Sequence, residues 1–146
     1  MENQELIFAS FGQRLLARLI DGTIVGLIAG VLAGVLAFIL GLSTPDPEQA
    51  IDVLARGLGV LISCFIYQPI LETTGGTWGK KLVGLRTINL NTGKAPSIDN
   101  SYGRSALCFL FLLLAIPALL SGLAVLWTKN KQTWYDSLTN IAVVVD

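Results

Sequence analysis

The apolar run from Leu15 to Leu42, broken only by Arg18 and Asp21 near its start, constrains this chain more than any other feature. It exceeds the roughly 20 residues that a helix needs to cross the hydrocarbon of a bilayer. Glycine stands at 22, 26, 30 and 34, every fourth position of the run. In the interior of a water-exposed helix each would be roughly 0.8–1 kcal/mol worse than alanine. In lipid, neighbouring helices pack the backbone, and small residues at this spacing form a flat groove where another helix approaches closely. Gly22, Gly26, Gly30 and Gly34 are therefore expected to form a helix-packing seam, preferably against a helix of the same chain. The composition agrees with a membrane protein: 53% of the residues are hydrophobic and 14% charged, against about 25% charged in soluble domains.

Further spans follow from the same criterion. The chain reads as one transmembrane domain. An interfacial N-terminus covers 1–12, a first crossing 13–42, a second crossing 53–71, and a Gly-punctuated cytoplasmic loop 72–104. Within that loop, 83–90 alternates apolar and polar residues before "NTG", the pattern of a strand entering a small β-hairpin. The third apolar run, 105–127, has Pro117 at its centre, with Ser121 and Gly122 close behind. Interior proline removes a helical hydrogen bond and clashes with the preceding turn, so this run is either one kinked crossing or a helical hairpin bent at 117–122. Met1 to Glu5 is acidic where a signal peptide is basic, so no removable leader is expected.

Lysine and arginine near helix ends mark the cytoplasmic side. With the N-terminus inside, Arg14, Arg18, Lys80, Lys81, Arg86, Lys94 and Arg104 are cytoplasmic. A hairpin over 105–127 also returns Lys129 and Lys131 to that side, and leaves Arg56 alone outside. The tail 128–146 ends in "IAVVV", a strand with no local partner, for which 83–90 is the obvious mate. The expected fold is an all-α membrane protein in the cell membrane with both termini cytoplasmic. It consists of a small helical bundle, two full crossings plus the broken helix, with a short cytoplasmic β element.

Charged residues near membrane depth are the candidates for chemistry. Arg14, Arg18 and Asp21 fall at i, i+4 and i+7 on one helix face. Arg18 reads as an arginine that snorkels to lipid phosphates, whereas a carboxylate at the head of the glycine face needs a protein or water partner. Asp136, between Trp134 and Tyr135 and the helix turn that follows, suits an N-cap or an approach to Asp21 and the arginines at the membrane surface. Glu72 ends the second crossing near the same level, and Arg104 opens the third run. Arg14, Asp21, Glu72, Arg104 and Asp136 are thus expected to converge as a charge network or ion-binding site.

Three blocks bear a specific resemblance. "QRLLARLIDGTIV", "TTGGTWGKKLVGLRTINLNTGKAPS" and "WYDSLTNIAVVV" resemble, in order and spacing, the RDD family of small multi-pass membrane proteins, named for one arginine and two aspartates. On that resemblance Arg14 is the family arginine, Asp21 and Asp136 are its aspartates, and Arg104 matches a further frequent arginine. Trp78, Tyr135 and Ile141 depart from the family's usual proline, histidine and threonine. The resemblance implies transport, with cation/proton exchange attributed to some members.

Two classes of function follow. In one, a homo-oligomer exchanges a monovalent cation or proton through Asp21 and Asp136, with Arg14 tuning them. In the other, the network is structural and the protein is a non-catalytic membrane scaffold or accessory subunit, assembled with itself or with another membrane protein. No enzyme is expected: the chain has no histidine, no nucleophile with a base and no metal-ligand set. "GGTWGKK" has three residues, not four, between Gly75 and Gly79, and Lys81 where a P-loop has Ser or Thr. Cys64 and Cys108, both inside apolar runs, read as unpaired thiols acting as small hydrophobes. No catalytic residue, cofactor or metal is expected, and with ten basic and ten acidic residues no net field draws nucleic acid. The partner common to both readings is the lipid bilayer.

Overall fold

In the computed structural model, which describes residues 6–40 and 46–146, two helices are long and apolar enough to cross a membrane. The first, α1, runs Phe11–Ile39. Ser10 caps it: its hydroxyl accepts from Gln13 N while the Gln13 side chain reaches back to Ser10 N, the reciprocal pair of a capping box. The second, α2, runs Pro47–Glu72, starting on the Asp46 cap with proline in its first turn. The close of the first crossing, expected at residue 42, and the start of the polar turn after it lie outside the described residues.

Pro69 interrupts α2 near its end. It has no N–H to donate, and the turn before it, Ser63–Tyr67, widens into a π-bulge in which Gln68 N bonds to Ser63 O. The bulge rotates Tyr67 and Gln68 into the interior, where both are buried.

Residues 73–97 do not form the expected hairpin. The short helix α3, Trp78–Leu82, leads to β1, Leu85–Asn89, whose only strand partner among the described residues is the tail, β2, Ile141–Val145. The pair is antiparallel, with Leu85 opposite Val145 and Thr87 opposite Val143. "NTG" closes a turn in which Gly93 takes positive φ, but the chain then enters helix α4, Ile98–Leu113, instead of a second strand. The Ser97 hydroxyl caps Asn100 N, so the helix starts seven residues before the apolar run does. The N-terminal arm has a role that "interfacial" did not capture. Phe8 bridges Val144, Ala9 N donates to Val143 O and Val145 N to Ile7 O, which covers the other edge of β2.

The third apolar run is two helices. The first ends at Leu113, and α5, Ile116–Leu123, begins after Ala115, which takes φ 51°. The bend thus lies before Pro117 and not at 117–122. The proline ring would collide with the carbonyl four residues back, at Leu113, so the helix stops there and proline sits in the first turn of the next one, where its missing N–H is harmless. A 3₁₀ turn, Ala124–Leu126, and the short helix α6, Trp134–Leu138, lead to β2.

Packing of the long pair corrects the glycine seam. The residues of α1 that are buried are Ala17, Asp21, Val25, Ala29 and Ala33, a stripe one position before the glycines. Ala29 lies against Gly59 of α2, where a β-carbon would come 3.6 Å from the Ala29 methyl. A β-carbon on Gly22, Gly26, Gly30 or Gly34 would meet nothing within 4 Å. The small-residue contact exists, but alanine carries the α1 side of it, and the glycines line open space. Leu27, Val31, Phe38, Leu110, Leu113 and Leu119 are exposed, as side chains facing lipid are.

Candidate functional site

The π-bulge, the α3 loop, the start of α4 and the tail meet around four buried charges. Arg104, in the second turn of α4, donates from Nε to Asp136 Oδ1 at 2.5 Å and from Nη1 to Glu72 Oε1. Lys80 of α3 donates to the same Glu72 oxygen at 2.7 Å and to Thr87 Oγ1 of β1 at 3.0 Å. From α1, Arg14 reaches the other Asp136 oxygen at 3.2 Å, and also donates to the carbonyls of Val143 and Ala9. Tyr135 lies under the Arg104 guanidinium, 5.6 Å from ring centroid to Cζ, a cation–π distance. Glu72 and Asp136 are 0% exposed and Arg104 3%.

Of the residues expected to converge, the structure brings Arg14, Glu72, Arg104 and Asp136 together through ion pairs. Asp136 is not an N-cap: Thr133 caps α6, and Asp136 is the third residue of its capping box. That position returns its carboxylate toward Thr133 N at 3.3 Å while leaving it open to both arginines. Trp134 N, in the same turn, donates to Ser121 Oγ of α5, which ties the tail to the broken helix.

Asp21 stands apart from this network. It accepts from Tyr67 Oη at 2.7 Å, Thr77 Oγ1 at 2.6 Å and Gly79 N at 2.7 Å, and forms no ion pair among the described residues. All three donors are neutral. Thr77 is the residue preceding α3, yet its own hydroxyl caps nothing there; Asp21 serves that end of α3 from another helix by taking Gly79 N. Contact this close requires glycine, since a β-carbon at 79 would lie 2.2 Å from Ala17 O and 2.8 Å from the Asp21 carboxyl. Tyr67, Thr77 and Gly79 were not singled out as site residues from sequence, and neither was Lys80. The available signal was the "GTWGK" block itself, whose second glycine, Gly79, falls where a helix end and another helix touch.

Electrostatics follow from this burial. Burial pushes the Lys80 amine down to about 8, although Glu72 pulls it back toward the charged form. Burial alone would raise the Asp136 carboxyl, but Arg104 and Arg14 outweigh it and hold it below the ordinary range. A cavity of about 140 Å³ adjoins the network, lined among others by Arg14, Arg18, Asp21, Arg104, Tyr135 and Asp136. Arg18 faces this interior space and not lipid phosphates alone. Among the described residues no three of Cys, Asp or Glu stand together as a metal cage requires, and both cysteines are free.

The RDD family model matches residues 8–140, nearly the whole chain. This chain belongs to the RDD family. Neither the curated proteins nor the solved structures gave a match. The three residues of the RDD name divide into two structural roles here: Arg14 and Asp136 bond to each other, while Asp21 is bound by neutral groups of the α2 bulge and α3. Membership in the family together with two long apolar helices identifies a membrane protein.

Proposed function

We infer that this RDD protein is a non-catalytic, multi-pass component of the cell membrane with both termini cytoplasmic, assembled with itself or with another membrane protein. In it the Arg14–Asp136–Arg104–Glu72–Lys80 chain of ion pairs is a structural lock. The observation that carries this is pairing: both carboxylates are already bonded by two cations each, so neither is free to exchange one, although Glu72 Oε2 makes no hydrogen bond among the described residues. The lock joins five separate parts of the chain, from α1 to the tail. A buried ion pair adds little net stability over an apolar replacement but makes the loss of either partner costly, and it fixes one arrangement. Support for the hairpin over 105–127 comes from lengths and ties. From Arg104 to Leu113 the rise is about 14 Å, and α5 is about 12 Å long, neither of which spans about 30 Å of hydrocarbon. The Trp134–Ser121 and Asp136–Arg104 bonds join the two open ends. Assembly is supported by Gly30 and Gly34, beside which the described residues leave room for a partner helix.

One observation favours exchange of a monovalent cation or proton as a second activity. Asp21 is a buried carboxylate with no cationic partner among the described residues, beside a cavity. Exchange would involve Asp21 and not Asp136, and would require several copies to enclose a path.

Light scattering and thermal melting in detergent test the lock. Asp136→Asn should lower the melting temperature and Asp21→Asn should leave the Arg104 cluster assembled; an Asp136→Asn protein as stable as the parent would refute the structural role. In proteoliposomes, a cation-driven pH change abolished by Asp21→Asn would establish exchange, and absence of any flux from parent vesicles would remove it.

A further inference from the structure

Arg18 is the cation in this region that the lock does not use. It enters no ion pair and no hydrogen bond among the described residues, and its interactions with Tyr135, Arg104 and Glu72 act only through space. It nevertheless lines two spaces at once. One is the 140 Å³ cavity, which Arg104 and Tyr135 also line. The other is a groove of about 610 Å³ between α1, α2 and α4, which runs from Arg18 past Gly22, Gly26 and Val60 toward Leu112. The groove is mainly apolar, and its few polar side chains are largely spoken for: Gln68 bonds Ser63, and Arg56 pairs with Asp52 at the far rim.

Charge complementarity says what such a space accepts. Arg14, Arg18, Lys80 and Arg104 face Asp21 and Asp136 around the cavity, and Glu72 bonds Lys80 and Arg104 from behind. Arg14, Lys80 and Arg104 share the two carboxylates Glu72 and Asp136, while Arg18 and Asp21 stand outside the ion pairs, so the region keeps one positive charge in excess. A guanidinium presents five N–H donors in a planar fork that matches a carboxylate or phosphate, and an unpaired one at membrane depth is unfavourable. The glycines give the groove its width, because no side chain of Gly22 or Gly26 projects into it.

We propose that Arg18, with the Tyr135 hydroxyl beside it, binds the anionic head of a membrane amphiphile whose acyl chain lies in the groove over Gly22 and Gly26. The shared chemistry is an oxyanion on a guanidinium, and the groove makes a single-chain anionic lipid its source instead of a free anion.

The test uses the full chain in zwitterionic phosphatidylcholine nanodiscs, with palmitate as the lipid probe and inorganic phosphate as the head without a chain. Palmitate should raise the melting temperature of the parent with saturation, and phosphate should act at least tenfold more weakly. Arg18→Gln should weaken the palmitate response at least tenfold, and Arg18→Lys should restore part of it. Gly26→Leu, which fills the groove where open space receives the side chain, should do the same without touching the charge. Equal palmitate responses in the parent, Arg18→Gln and Gly26→Leu would overturn the site. A phosphate response as strong as that to palmitate, unaffected by Gly26→Leu, would overturn the amphiphile in favour of a free anion.

Discussion

The two halves of α1 pack by different means. From Ser10 to Asp21 its buried face meets a ring of hydrogen bonds and ion pairs: Arg14 to the tail, Asp21 to the α2 bulge and to α3. From Val25 to Ala33 it meets α2 through small apolar side chains only. The first half fixes a geometry, because each donor and acceptor has a direction and leaving one unmet inside the protein is expensive. The second half sets only a distance between helices, and its outer face is open to lipid or to another protein. Substitutions should therefore behave differently in the two halves.

Removing the hub of the polar half should have the largest effect. Arg104→Ala leaves the Glu72 and Asp136 carboxylates buried with less compensation, a loss of about 3–5 kcal/mol, read as a collapse of the melting transition in detergent. Arg104→Met with Asp136→Asn should recover part of it, since one charge and one counter-charge leave together and Lys80 still pairs with Glu72. Close approach is the next most sensitive feature. Gly79→Ala drives a methyl into the backbone of α1 and should destabilise by about 1–3 kcal/mol or more. Ala29→Leu should fall in the same range from the apolar half, where the helices are in contact, so a much smaller loss would mean that the pair can slide apart.

The polar half should also respond to pH. Lys80 holds its proton in the folded protein only up to about 8, while an unfolded lysine keeps it to about 10.4. Between those values the unfolded chain binds more protons, so this group makes stability rise with pH. The melting temperature of the parent, measured against Lys80→Met from pH 7 to 10, should show that rise, and Lys80→Met should lack it. Smallest of all should be Gly30→Ala, within about 0.5 kcal/mol for a residue that touches nothing. A marked change in oligomer size with unchanged melting would identify the stripe as a contact between copies.

Much of the site was legible because its chemistry is rare. Charges at the ends of apolar runs have few tolerable environments, so Arg14, Glu72, Arg104 and Asp136 stood out and do converge. The strand pairing was legible because an unpaired "IAVVV" has one suitable mate. Asp21 was misassigned to the ion pairs because helical spacing from Arg14 gives a face, not a partner; the π-bulge at Ser63–Tyr67 and the close approach of Gly79 decide the partner. Gly22–Gly34 was misassigned as the intramolecular seam because alanines sit at the same spacing one residue earlier, and either stripe satisfies the pattern.

What the sequence alone determined is the class of protein and its material: a membrane chain with two apolar runs long enough to cross, a proline-broken third run and a set of charges at the ends of those runs. Those follow from transfer free energies and local backbone rules, which depend on residue type and neighbours. Which stripe faces inward and which charge meets which were decided only by tertiary structure. Those choices rest on angstrom-scale contacts between segments as distant in sequence as Arg14 and Asp136, and rotating a helix by one residue exchanges them without altering the pattern from which they were read.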